Sequence, residues 1–173
     1  LIKGGCLLKR IPKLVLSIIS IVILVGLDQA TKKLAEINLA GKGTVPVLGN
    51  FLVLNYITNR GGFLSFGSDV GSHLWYAFFI ILPLVSLIAI SAYIIVEKRN
   101  DVYYLSFWVF FTSGGIGNII DRILYGEVRD FLNVGIGSLR TGIFNAADIY
   151  LNVFALLVVI IYIFRKKDKK DLQ

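Results

Sequence analysis

Cysteine, histidine and charge are all scarce in this 173-residue chain, and each scarcity removes a class of function. Cys6 is the only cysteine, so no intrachain disulfide can form. With His73 as the only histidine, a Cys/His zinc site cannot be assembled. A mechanism with a histidine base would have to use His73, which lies in a loop containing glycine and serine. Cys6 follows a lysine and two glycines and reads as an inert terminal thiol in preference to a lipidated or reactive one. Charged residues make up only 17% of the chain, against about a quarter in a typical soluble domain. The length suits one domain, with no repeat or low-complexity tract.

What is abundant is apolar sequence: 56% of residues are hydrophobic, and the mean hydropathy is +0.77. Four runs, at about 11–27, 74–96, 104–124 and 149–164, read as membrane helices. A crossing takes roughly 20 apolar residues, with about 17 as the lower limit. The first run is therefore short, and Lys13 must snorkel at its edge. Pro83 inside the second predicts a kink. A cleavable signal peptide competes for the first run, because Lys9, Arg10 and Lys13 precede it. The following Asp28-Gln29-Ala30-Thr31-Lys32 has no small-x-small cleavage pattern, so a retained helix is expected.

Charge sets the expected orientation. With both termini and the short second-to-third connection in the cytoplasm, eleven Lys and Arg lie inside and seven lie outside on longer loops. The net charge is then +7 inside and zero outside, as the positive-inside rule favours. The basic balance is a topology and lipid-headgroup signal, not a sign of nucleic-acid binding. Residues 29–39 predict a short surface helix. Residues 44–48 and 51–58 read as strands about Gly49-Asn50, and 128–134 and 136–144 alternate apolar and small residues. The expected fold is one integral membrane domain over 1–173, mainly α, with four transmembrane helices, a small extracytoplasmic β-structure and that surface helix.

Polar side chains gather at the outer ends of these runs. An ionisable group near hydrocarbon is costly, which makes each a functional candidate. Asp28 ends the first run, and Asn118, Asp121 and Arg122 close the third. Asp130, Asn145 and Asp148 lie between the third and fourth, with Asn152 one turn beyond. Gly114, Asn118, Asp121 and Arg122 share one helix face. Gly114, Gly115 and Gly117 alone would be a close-packing seam, but a seam does not account for an Asn and an Asp on the same stripe. Gly115-Ile116-Gly117 is too short and too deep in a helix for a nucleotide loop. Taken singly, Asp28 and Lys32 read as an i, i+4 surface pair and Asp148 as a helix N-cap. Asp130 and Asp148 sit among apolar neighbours, with Arg129 the one cation adjacent to either. A proton pathway would spread its acids through several spans, whereas these collect near one face. A Gly-packed scaffold without catalysis is the other alternative. A Ser/Lys protease lacks an obvious serine beside Lys32, Lys33 or Lys42, unless folding brings Ser65 close.

Together the motifs resemble the lipoprotein signal peptidases, also called signal peptidase II, along nearly the whole membrane domain and in the family's order. Asp28-Gln29-x-x-Lys32 is similar to the block after the family's first helix. Asn59-x-Gly61-Gly62-Phe63-Leu64-Ser65 is similar to its Asn-x-Gly-Ala-Ala-Phe-Ser block, with Phe63 and Leu64 departing from it. Gly114-Gly115-x-Gly117-Asn118-x-x-Asp121-Arg122 is similar to the third-helix motif. Val128-x-Asp130-Phe131 and Phe144-Asn145-x-Ala147-Asp148 are similar to the two blocks that carry the catalytic aspartates. The resemblance implies an aspartic endopeptidase of the bacterial cytoplasmic membrane, active near its outer face and without a metal or cofactor. Its implied substrates are diacylglyceryl-modified prolipoproteins, cut just before the lipidated cysteine, and its other partners are membrane lipids; a monomer is expected. Asp130 and Asp148 become the implied catalytic pair. Asn118, Asp121, Arg122 and Asn145 would orient it, and Asp28, Lys32, Asn59 and Gly61 would support the site or touch substrate. Gly114, Gly115 and Gly117 are expected to leave room for a signal helix.

Overall fold

The computed structural model describes residues 4–62, 66–96 and 101–170, with side chains from 11 to 159 within those limits. Phe63, Leu64 and Ser65 fall outside it, so the departure from the family block lies outside the described residues. The elements in order are α1 (Gly4–Leu39), β1 (Val45–Leu48), β2 (Leu52–Asn59), α2 (Ser72–Tyr76), α3 (Leu82–Val96), α4 (Val102–Tyr125), β3 (Val128–Ile136), β4 (Leu139–Arg140) and α5 (Ala146–Lys170). One π-helical turn, Ala77–Ile81, joins α2 to α3 without a break. Pro83 follows it. Its ring would strike the carbonyl four residues back in a regular α-helix, and the wider turn relieves that contact.

The expected short first span and separate surface helix are one rod. α1 runs 36 residues, about 54 Å. It continues through residues 29–39 because nothing there breaks a helix. The polar side chains that suggested a surface are turned into the protein, where Asp28 and Lys32 are fully buried. Two helical stretches, Ile11–Leu39 and Ser72–Val96, are long and apolar enough to cross a membrane, and α5 offers a shorter apolar stretch, Ala146–Val159. Large apolar side chains face outward along them, including Val22 at 67%, Ile88 at 61% and Val96 at 73% exposure. A water-soluble helix hides one apolar stripe; helices that are apolar outside as well suit lipid.

α4 is the hub. Ile21 of α1 and Ile94 of α3 close a core with Leu105, Trp108 and Val109 of α4. The sheet is antiparallel in the order β1-β2-β3-β4. It rests on the C-terminal end of α1, where Ala35 and Leu39 pack against Phe131. The first two strands lie where the alternation placed them. The run at 136–144 is mostly not strand: β3 continues to Ile136, Gly137 turns the chain at φ +58°, β4 is two residues long, and Phe144 returns as a single bridge to Leu132.

Candidate active site

The end of α4, the start of β3 and the first turn of α5 meet beside α1, and their polar side chains interlock. Gly126, left-handed at φ +77°, ends α4 and turns the chain into β3. Two residues later Val128 begins the strand, which places Arg129 and Asp130 on opposite faces. Asp130 is 2% exposed; one carboxylate oxygen accepts from the Asn145 amide at 2.6 Å and the other from the Asn59 amide at 3.3 Å. Burial, followed by the negative charge of Asp148, pushes the Asp130 carboxyl up to about 6, with the Asn145 and Asn59 hydrogen bonds opposing the shift.

Asp148 is held differently. The N-cap of α5 is Asn145, not Asp148. Asn145 Oδ1 accepts from the Asp148 N–H, and Asp148 Oδ2 accepts from the Asn145 N–H, both at 3.1 Å. This reciprocal capping box satisfies two backbone donors. The other Asp148 oxygen accepts from the Asn118 amide at 2.9 Å. The second amide hydrogen of Asn145 goes to Asn118 Oδ1, so Asn145 bridges the two aspartates and Asn118 braces the bridge. Asn152 donates to the Asp148 carbonyl.

Behind the aspartates lies a buried ionic cluster. Lys32 Nζ is 2.9 Å from Asp28 and 3.5 Å from Asp121, all three at 0% exposure, and donates to Asn118 Oδ1 at 3.0 Å. The i, i+4 surface pair is thus a core ion pair. Asp28 also accepts from the Ala147 N–H at 2.8 Å, a carboxylate on the positive end of α5. Asp121 receives the Arg129 backbone N–H, Nε and Nη2 at 2.8–3.2 Å, together with the Gln29 amide. Arg122 donates to the Gly61 carbonyl at 2.9 Å and lies over the Phe79 ring, with Asp148 and Asp130 as electrostatic neighbours; its Nε is buried without a partner among the described residues. Asn59 Oδ1 accepts from the Gly61 N–H, which shapes the loop after β2. Gln29 and Arg129 carried no role in the sequence reading. The signal available was Gln29, Lys32 and Glu36 at i, i+3 and i+7 on the Asp28 side of α1. Among the described residues no three His, Cys, Asp or Glu are grouped to hold a metal ion.

The three glycines face the protein's own helices, so the room expected for a signal helix is already filled. A Cβ on Gly114 would sit 2.6 Å from the Ala147 carbonyl and 2.7 Å from Leu151, and one on Gly117 2.6 Å from Asp28 Oδ2. At Gly115 the nearest atoms would be those of the Leu87 side chain, at 2.8 Å. Gly114→Ala should therefore cost about 1–3 kcal/mol by overpacking. It should also slow cleavage, because it pushes on the turn that holds Asp148. Gly115→Ala should cost less, since Leu87 can move. Thermal unfolding of both variants in detergent, with a cleavage assay, reads the contrast; equal midpoints for the two would refute it.

Two solved structures described as bacterial membrane enzymes share this arrangement of helices and sheet. One matches with a TM-score of 0.79 at 28% identity, covering 88% of this chain and 90% of that one. The other matches with a TM-score of 0.73 at 29% identity, covering 84% and 91%. The family model described as signal peptidase (SPase) II matches residues 20–164, and the chain belongs to that family. Among curated relatives, the lipoprotein signal peptidase of Syntrophus aciditrophicus is 32% identical over 158 residues, covering 90% of this chain and 97% of that protein. The lipoprotein signal peptidase of Borrelia duttonii is 37% identical over 163 residues, covering 91% and 94%.

Proposed function

We propose that this membrane peptidase removes the signal peptide from diacylglyceryl-modified prolipoproteins, cutting just before the lipidated cysteine, with Asp130 and Asp148 as its catalytic pair. The observation that carries the reading is one residue, Asn145, bonded to both carboxylates, by its side-chain amide to Asp130 and by its backbone N–H to Asp148. Peptide hydrolysis needs an activated water and a proton for the leaving amine, and two neighbouring carboxyls supply both when they share one proton. Asp148, which accepts a backbone N–H and the Asn118 amide at the start of α5, is the base. It takes a proton from water as the oxygen adds to the scissile carbonyl carbon. Asp130, buried and inclined to hold its proton, is the acid. It gives that proton to the cysteine nitrogen as the carbon–nitrogen bond breaks. The signal peptide leaves as a carboxylate and the cysteine as a free amine. Proton exchange then resets the pair.

Arg122, with an unused buried Nε, and the Asn59–Gly61 loop orient the substrate backbone. Asp28, Lys32 and Asp121 tie α1, α4 and the start of α5 together behind the pair. All four helical rods cross the bacterial cytoplasmic membrane, with both termini inside and the sheet and active site at the outer face, which accords with the distribution of Lys and Arg.

The test is cleavage of a diacylglyceryl-modified precursor by the purified full chain in detergent, followed by gel shift and by mass spectrometry of the product. The expected product begins at the lipidated cysteine, and the unlipidated precursor is not cut. An intact lipidated precursor, or a product beginning elsewhere, would refute the proposal.

A further inference from the structure

The geometry points to Arg129 as a positioning residue that holds Asp130 in register with Asp148 by tying the start of β3 to α4 and α1; this rests on the aspartate-pair reading above. Asp130 needs such a tie because its strand is loosely guided on the β2 side. The β2–β3 register slips between Leu54 and Ile57, immediately beside the Ile57–Asp130 pair. The extra residue lies in β2, and such a bulge bends its strand, raises the local twist and interrupts the ladder, so β2 fixes the position of Asp130 from one side of the interruption only. On the opposite face of β3, Arg129 is 4% exposed, and its guanidinium is held from three directions. Asp121 of α4 accepts from Nε and Nη2, Gln29 of α1 accepts from Nη2 at 3.1 Å, and Glu36 of α1 accepts from Nη1 at 3.3 Å. The Tyr125 ring lies 4.5 Å beneath it.

The Arg129 N–H also bonds to Asp121 at 3.0 Å, so backbone and side chain fix the same point of the strand. Asp121 is 3.5 Å from Lys32, Lys32 bonds Asn118, and Asn118 bonds Asp148. One connected path therefore runs from the backbone beneath Asp130 to the carboxylate of Asp148. Arginine suits this task because its planar fork reaches several acceptors at once; a lysine keeps the charge but not the fork.

A positioning role predicts loss of turnover more than loss of binding, since misplacing a reacting group by about 1 Å costs on the order of a hundredfold. In the full-length protein in detergent, with a diacylglyceryl-modified precursor as probe, Arg129→Gln should lower kcat at least tenfold and change KM less than threefold. Arg129→Lys should recover only part of kcat. The pH–rate bell should narrow from its alkaline side, because carboxyls held further apart repel less and their two macroscopic values converge. The groups that face Asp130 are Asn59 from β2, Asn145 and Asp148 from the start of α5, Lys32 from α1 and Arg122 from α4. None of them is substituted in these variants.

Glu36→Gln removes one arm of the clamp at a partly exposed site and should give a smaller fall in kcat in the same direction; it carries the test should Arg129→Gln not fold. Asp130→Asn run alongside separates the two readings. If it still cleaves, the aspartate-pair reading fails. If it is inactive while Arg129→Gln, or Glu36→Gln in its place, keeps wild-type kcat and pH profile, the positioning inference fails by itself.

Discussion

Asp130→Asn should abolish cleavage of a lipidated precursor and, at pH 8, raise the temperature at which the protein unfolds. The loss should be about a thousandfold or more, as is usual when one member of a catalytic unit is removed. Asp148→Asn should match it, with less effect on folding, because asparagine still offers an acceptor to the Asn145 N–H. The stability change follows from proton linkage. The Asp130 carboxyl is raised in the folded chain from 3.8 to about 6. Its contribution to stability is thus fully present below about pH 4 and is lost as pH rises through about 6. A shift of that size corresponds to about 3 kcal/mol at neutral pH and above. Asparagine carries no charge but has a single acceptor for the two amides now bonded to the carboxylate, so about 1–2 kcal/mol of the gain should survive. Melting curves at pH 8 and pH 4 check this. An equal gain at both, or none at pH 8, would show that burial of the Asp130 charge is not what strains the site. The same titration governs catalysis: kcat/KM should fall as pH rises through about 6, when the pair loses its shared proton.

Lys32→Met should be the most damaging change away from the aspartate pair. It leaves Asp28 and Asp121, both at 0% exposure, without the ammonium that stands 2.9 and 3.5 Å from them. Breaking a buried ion pair from one side costs about 3–5 kcal/mol, because the remaining charge stays buried and uncompensated. For a chain of this size that is a fall of roughly 10 °C in unfolding temperature. Cleavage should fall further than stability alone explains, since Lys32 also fixes the Asn118 oxygen beside Asp148. Adding Asp28→Asn to Lys32→Met should restore part of the stability, the two sites being in contact. A wild-type unfolding temperature for Lys32→Met would rule out the cluster as the tie between α1 and α4.

The parts of this fold that were legible in the sequence are those set by local rules. Alternation around Gly49-Asn50 gave two strands within a residue or two of their ends, and the apolar runs gave the helices. The i, i+4, i+7 stripe put Asn118 and Asp121 on one face. What was hidden depends on partners distant in sequence. Asp28 and Lys32 have the spacing of a surface pair, and only Gly117 and Ala147, some 85 and 119 residues away, bury them. Asp148 sits where an N-cap would, but the cap three residues earlier, Asn145, is recognisable only once their reciprocal bonds are seen. Arg129 is in sequence only the cation next to Asp130; strand alternation turns it the other way, into Asp121. The glycine triplet, expected to leave room for a signal helix, faces α5, α3 and α1.

The length of α1 has a consequence for where this protein works. From Ile11 to Leu39 it spans 29 residues, but its apolar run, 11–27, is only about 26 Å long, against roughly 30 Å of hydrocarbon. The shortfall is a hydrophobic mismatch, relieved by thinning the bilayer around the helix or by flanking side chains that reach to the interface. The exposed Leu34 and Ile37 sit beyond Asp28 on that same rod, opposite the face that carries the sheet. Acyl-chain length thereby sets how near hydrocarbon lie Asp28, Gln29, Lys32 and Glu36, which follow that run. Thin and thick membranes are for this enzyme different mechanical settings of one site, and a detergent micelle is a third.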